Sequence, residues 1–184
     1  MRIIAGQWRG RALVAPAGDA TRPTADRTRE GLFSMLASRI GSFEGLAVAD
    51  IFAGTGALGL EALSRGAAKA TFVEMDKAAL TALKANIAKL GAAADVVPTS
   101  VSGLSAARTA HDILFFDPPY GSGGAGALIE RLTRLGWASE SAWASIETAV
   151  GEEVSAKGWT VDAVRRHGKA QLTLLRRGSS EPED

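Results

Sequence analysis

An apolar run, His111-Asp112-Ile113-Leu114-Phe115-Phe116, ends in Asp117-Pro118-Pro119-Tyr120. A short buried strand thus closes on a carboxylate, two prolines and an aromatic ring. Each proline fixes φ near −65° and has no N–H to donate, and the residue before a proline is held extended. The backbone carbonyls of such a turn are fixed in place and open to donors. An exocyclic base amine, N2 of guanine or N6 of adenine, offers two N–H groups. The Asp117 carboxylate and the Pro118 carbonyl suit those two donors, which leaves the nitrogen lone pair aimed for methyl transfer. Pro119 stiffens the turn, and Tyr120 could stack on the base. The plainer reading is a strand that ends in an ordinary Asp/Pro turn.

A second constellation is Phe52-Ala53-Gly54-Thr55-Gly56-Ala57-Leu58-Gly59, a G-x-G-x-x-G between an expected strand and an expected helix. Glycines there allow a tight turn and a close approach of ligand to backbone. Glu74 lies 20 positions after Gly54 and ends the next strand, where a carboxylate can accept from both ribose hydroxyls. Strand, glycines and acid together indicate a nucleotide-type ligand. NAD and S-adenosylmethionine proteins share all three. Asp50, near the loop, favours S-adenosylmethionine, because an anion there could meet a methionine ammonium, directly or through water, whereas a pyrophosphate would gain nothing from it. In open α/β sheets ligands bind beyond the carboxyl ends of the strands, so donor loop and Asp117 strand are expected to open onto one crevice.

These sites need elements to hold them. A helix is expected from Thr24, with Leu32, Phe33, Leu36 and Ile40 at helical spacing, ended by Gly41. Strands are expected at 46–52, 70–74, 95–97, 112–116 and 142–147, and helices at 57–65, 77–90 and 126–135, with a short helix through Ala107. That alternation predicts parallel βαβ units in a doubly wound, Rossmann-like α/β sheet of seven strands. Residues 159–166 and 169–177 read as two strands around a tight turn at His167-Gly168, so the sheet should finish in an antiparallel hairpin. Residues 1–40 read as a small N-terminal arm and helix, 41–177 as the main domain, and 178–184 as a disordered acidic tail. Gly121 to Gly126 reads either as a lid or as plain linker.

The 184-residue chain, 46% hydrophobic and 22% charged, has the composition of a globular domain. It shows neither a signal peptide nor a membrane span, so a cytoplasmic protein is the expectation, and a monomer for want of an obvious apolar interface. There is no cysteine, which removes disulfides, Cys-based zinc sites and base C5-methylation through a covalent Cys adduct. His111 and His167 are the only histidines; no metal is expected, and both read as structural. Net charge is +1, yet the first 40 residues carry Arg2, Arg9, Arg11, Arg22, Arg27, Arg29 and Arg39 and no lysine. Arg2, Arg9, Arg11, Arg22, Arg27 and Arg29, with Thr24, form the candidate RNA-contact set. Trp8 among them is either a clamp or a core anchor. A second cluster is Arg165, Arg166, Lys169, Arg176 and Arg177.

The segments Arg2-Ile3-Ile4-Ala5-Gly6, Arg22-Pro23-Thr24-x-Asp26-Arg27-x-Arg29-Glu30-x-Leu32-Phe33, Asp50-x-Phe52 through Gly66, Glu74-x-Asp76 and Asp117-Pro118-Pro119-Tyr120 together resemble the RsmD family, whose members methylate N2 of one guanine in 16S ribosomal RNA. The likeness runs to the acidic tail, and the Arg22–Phe33 segment is its most specific part. The resemblance implies a class I methyltransferase fold, S-adenosyl-L-methionine as donor, S-adenosyl-L-homocysteine as product, and 16S rRNA in an assembled or assembling small subunit as partner. It implies that Phe52, Ala53, Gly54, Thr55 and Gly56 embrace the methionine and ribose. It implies that Glu74 binds the ribose, that Met75 packs on adenine, and that Asp117 to Tyr120 hold the target base, with Asp117 also bordering the donor. Where such enzymes often carry Asn or Asp followed by Ala near the adenine amine, this chain reads Ser100-Val101. Other readings of the same residues are an adenine-N6 nucleic-acid methyltransferase, an NAD-dependent oxidoreductase and a non-catalytic RNA-binding assembly factor.

Overall fold

The computed structural model describes residues 1–17, 23–119 and 124–178, with side chains of the first helix from Ala25 onward. The chain forms two compact units, Met1–Leu104 and the residues from Ser105 on.

In the first unit, helix α1 (Pro23–Ile40) is followed by β1 (Ala47–Ile51), α2 (Ala57–Ser64), β2 (Lys69–Val73), α3 (Lys77–Leu90) and β3 (Ala94–Val97). The three strands are parallel, β2 pairing with β1 through Asp50↔Phe72 and with β3 through Phe72↔Val96. Helix α3 matches its expected bounds because both ends are written locally. The Asp76 carboxylate accepts from the Ala79 N–H at 2.8 Å, and Gly91 takes the left-handed conformation (φ 62°) at the other end. Leu32, Phe33 and Leu36 of α1 are buried, as their spacing requires. The expected helix through Ala107 is only a 3-10 turn at Val101–Gly103. Val101 and Leu104 are buried there but Ser105, Ala106 and Arg108 are exposed, so no apolar face sustains a longer helix.

The N-terminal segment closes on itself through an antiparallel bridge, Arg2↔Ala12. Its docking partner is α2. Gln7 donates to the Ser64 carbonyl at 2.8 Å, and a Cβ on Gly6 (φ 85°) would lie 1.8 Å from that same oxygen, so only glycine fits. Trp8 donates its backbone N–H to the Ser64 hydroxyl and its side chain is half-buried. Buried Asn86 of α3 bonds both backbone groups of Val14 and the carbonyl of Thr55.

The second unit comprises β4 (His111–Phe116), α4 (Ala125–Arg134), β5 (Ala138–Ala149), β6 (Trp159–His167) and β7 (Ala170–Arg177). Strand β5 is parallel to β4, while β7 pairs antiparallel with both β5 and β6. The antiparallel finish is therefore present, turning at Gly168 (φ 61°). Strand β5 starts earlier than its sequence suggests. A bulge between the His111↔Ala138 and Ile113↔Trp143 rungs lets Ala138 pair, and the Arg177 guanidinium holds it by donating to the Ala138 and Ser139 carbonyls. His111 is buried, stacked on Trp137 with ring centroids 5.3 Å apart. Among the described residues there are seven strands, an α/β architecture, and no helix is long and apolar enough to cross a membrane.

Candidate active site

Strand β1 delivers the glycine loop. Phe52 has φ 63°, the only non-glycine with positive φ among the described residues. For a bulky side chain that conformation costs on the order of 1–3 kcal/mol and persists only where the surroundings impose it. The Ala53 N–H reaches the Val73 carbonyl at 2.9 Å and the Gly56 N–H the Ala53 carbonyl at 2.8 Å, which locks the turn. The glycines then differ in purpose. A Cβ on Gly56 would lie 2.4 Å from Leu83 Cδ1, and one on Gly59 2.4 Å from Phe72 Cε1; both glycines serve packing. A Cβ on Gly54 (φ 57°) would meet nothing within 4 Å. The space beside the Gly54 backbone is open.

Glu74 is bound to that loop. Its Oε2 accepts from the Gly54 N–H at 2.7 Å, and its Oε1 accepts from the Met75 and Asp76 N–H groups at 2.9 Å each. Three backbone donors orient the carboxylate; they fill both lone-pair sites of Oε1 and one of Oε2, which leaves Oε2 one site for a hydroxyl. Met75 beside it is 66% exposed, a large apolar side chain standing in solvent where a flat ring could cover it. Thr55 donates its hydroxyl to the Met1 sulfur at 3.8 Å.

Asp50 sits lower than the sequence suggests. It is 1% exposed, and its Oδ2 accepts from the Gly59 N–H of α2 at 2.9 Å. It caps the first turn of the helix from the neighbouring strand, satisfying a donor that the left-handed Gly56 at the cap position cannot. Ser100 likewise serves its own turn, its hydroxyl accepting from Gly103, and Val101 is buried.

In the second unit Asp117 follows the last residue of β4. The carboxyl keeps solvent access, yet the protein around it strips part of its hydration, and this burial, followed by the negative charge of Glu147, pushes its pKa up to about 7. Pro118 is half-buried and Pro119 exposed. Tyr120, and Gly121 to Gly123 of the expected lid or linker, lie outside the described residues. Gly124 (φ 65°) precedes α4, and Gly126 is packed so closely that a Cβ would lie 1.8 Å from the Ser155 carbonyl oxygen. Gly126 is thus part of a fixed helix and not of a flexible loop.

The arginines separate into two groups. Arg2, Arg9, Arg11 and Arg27 are exposed, Arg11 also donating to the Lys89 carbonyl. Arg29 must be withdrawn from the RNA-contact set. It is 5% exposed, and its guanidinium is committed to the Arg2 carbonyl, to Asp26 at 3.3 Å and to Glu61 at 3.7 Å. Arg22 and the side chain of Thr24 lie outside the described residues. In the C-terminal cluster, Arg165, Arg166, Lys169 and Arg176 are exposed, Arg176 lying over the Trp143 ring, whereas half-buried Arg177 anchors β5.

Sequence reasoning missed Glu61. Fully buried on α2, it accepts from the Ile4 and Ala5 N–H groups at 2.9 and 3.0 Å and pairs with Arg65 at 3.0 Å as well as with Arg29. A carboxylate within the otherwise apolar Leu60–Leu63 stretch was the available signal. Among the described residues no group of three or more His, Cys, Asp or Glu could hold a metal ion.

Comparison with known proteins aligns with this geometry. A family model described as Conserved hypothetical protein 95 matches residues 1–176. The ribosomal RNA small subunit methyltransferase D of Escherichia coli K12 is 40% identical over 188 residues, covering 100% of this chain and 93% of that protein. The solved structure of yhhF from Escherichia coli superimposes with a TM-score of 0.86 at 41% identity, covering 98% of this chain and 99% of the other. At 14% identity, the magnesium protoporphyrin IX methyltransferase of Synechocystis, solved with bound S-adenosylmethionine, still gives a TM-score of 0.67 over 88% of this chain and 87% of its own, a likeness of fold alone. These similarities show the α/β fold of the methyltransferases in this chain.

Proposed function

The chain belongs to the Conserved hypothetical protein 95 family, with the small-subunit ribosomal RNA methyltransferase D proteins among its relatives, and from that premise we propose that it transfers a methyl group from S-adenosylmethionine to the exocyclic N2 amine of a guanine in 16S rRNA. Asp117 carries the reading: a solvent-reachable carboxyl at the carboxyl end of a parallel strand, followed by two prolines, with its pKa pushed up to about 7.

The residues of the first unit fit the donor. Gly54 leaves room at the backbone, Glu74 is oriented by three N–H groups with an Oε2 site left for a ribose hydroxyl, and exposed Met75 offers the adenine an apolar face. When bound, the donor supplies an electrophilic methyl on a sulfonium. The protein's own work is positioning, which can contribute roughly 7–11 kcal/mol to such a reaction. Asp117 accepts one N2–H and the Pro118 carbonyl the other, which fixes the direction of the nitrogen lone pair that attacks the methyl carbon. As the N–C bond forms and the C–S bond breaks, the electron pair goes to sulfur and the amine acquires positive charge. The amine then sheds one proton, and a carboxylate whose pKa is near the working pH is suited to take it. The base must leave its stack to reach these groups. Exposed Arg2, Arg9, Arg11 and Arg27 supply phosphate contacts, which predicts binding that weakens with salt.

The two kinds of glycine give separable effects. Gly59→Ala overpacks against Phe72 and is expected to cost about 1–3 kcal/mol of stability. Gly54→Ala should lose S-adenosylhomocysteine affinity by more than its change in melting temperature accounts for, since its methyl enters the open space a ligand would use. Calorimetry of both variants checks this; equal affinity loss at equal destabilisation would remove Gly54 from the donor site.

Methyl incorporation from labelled donor into small ribosomal subunits, naked rRNA and duplex DNA tests the function. Label in ribosomal RNA is expected; label in DNA alone would overturn the proposal.

A further inference from the structure

Strands β4 and β5 are parallel neighbours whose last shared rung is Phe116↔Ile146. One step further along each strand stand Asp117 and Glu147. The two carboxylates therefore sit side by side at the same end of the sheet, and the Glu147 charge is felt at Asp117. Glu147 is half-buried, while Ile146 and Thr148 on either side of it are buried. Its backbone is fixed on the other flank by the Glu147↔Leu172 rung to β7. A carboxylate carried on a fixed backbone next to the acceptor motif has a use that no glycine-loop or Asp-Pro-Pro residue fills.

The Watson–Crick edges of the two candidate bases differ at one atom beside the amine. Guanine presents the N2 amine and next to it the N1–H, two adjacent donors. Adenine presents the N6 amine and next to it N1, a bare acceptor. Asp117 alone can hold either amine. A second carboxylate one position along the edge accepts from guanine N1–H but turns its lone pairs on adenine N1, which leaves both acceptors unpaired. We propose that Glu147 is the specificity-determining residue of the acceptor site, accepting a hydrogen bond from guanine N1–H while Asp117 and the Pro118 carbonyl hold the N2 amine. This rests on the guanine reading of the proposed function and gives that reading a physical basis within the chain.

A hydrogen bond to a charged acceptor that orients the reacting base is worth roughly 10- to 100-fold in rate. Turnover on small ribosomal subunits that lack the modification should thus fall about 10-fold in Glu147→Gln, whose amide oxygen still accepts but without charge. In Glu147→Ala it should fall about 100-fold. KM for the subunit, set by contacts remote from the base, and S-adenosylhomocysteine affinity should be unchanged. The isosteric Gln variant decides the matter should the Ala variant fail to fold. Glu147→Gln at wild-type turnover, with Asp117→Ala inactive, would overturn the role of Glu147 and leave the acceptor site standing. An active Asp117→Ala, or N6-methyladenosine as the product, would instead overturn the reading beneath it.

Discussion

Asp117→Ala is expected to reduce methyl transfer by roughly 10²-fold or more, because a base held by one acceptor fewer no longer presents its lone pair in line, and misplacement by about 1 Å alone carries a penalty of that size. The proposed donor residues Gly54, Glu74 and Met75 are untouched, so S-adenosylhomocysteine affinity should move by no more than about twofold, the scatter expected of independent sites. The same residue sets the pH dependence. To accept an N2–H, Asp117 must be ionised, and with its pKa pushed up to about 7 by burial and by Glu147, the rate should rise through neutrality and fall as pH drops below it. The stability consequence has the opposite sense. A carboxyl whose folded pKa lies above its unfolded value favours the native state below the unfolded pKa, near 4, and loses that contribution as pH climbs through about 7. Asp117→Asn, fixed in the neutral form, should therefore melt no lower than the parent at pH 8 while remaining impaired in turnover. A flat rate profile between pH 6 and 8 would contradict the role given to this carboxylate.

Removal of Glu61 should have the largest effect on stability. Glu61→Ala strips the partner from two buried or half-buried arginines and leaves the Ile4 and Ala5 N–H groups without their acceptor. Breaking a buried pair from one side costs about 3–5 kcal/mol, which for a chain of this size is on the order of 10 °C in Tm. The loss should spread to the donor loop, since the N-terminal segment that Glu61 holds also meets Thr55 through Met1 and, by way of Asn86, through Val14. Replacing Arg29 and Glu61 together by apolar residues should recover part of the stability, because the remaining charge is no longer stranded. Scanning calorimetry reads both, and a Tm within about 2 °C of the parent for Glu61→Ala would show that the network adds little.

Local signals were legible in the sequence and long-range ones were not. Helix α3 carries its own cap, Asp76, and its own stop, Gly91, and its bounds follow from them. The glycine loop and the acid 20 positions on are likewise a short-range pattern, and their joint hydrogen bond, Gly54 to Glu74, fits that reading. Arg29 was misassigned because a run of arginines in sequence does not say which one turns inward. Its partner Glu61 lies 32 positions away on another helix, and burial of the pair depends on how the N-terminal segment docks at Gly6. Asp50 was correctly placed beside the loop, but its commitment to Gly59 depends on the register of β1 against α2. Glu147 had no local signal: it ends an expected strand like any other residue, and only the Phe116↔Ile146 rung brings it beside Asp117.

The central claim is tested most directly by identifying the modified nucleoside. Small ribosomal subunits from a strain lacking the corresponding methyltransferase would be incubated with the purified protein and S-adenosylmethionine. Their 16S rRNA would then be digested to nucleosides and analysed by mass spectrometry. The account predicts new N2-methylguanosine, absent with Asp117→Ala; N6-methyladenosine, or no new methylated nucleoside at all, would contradict it.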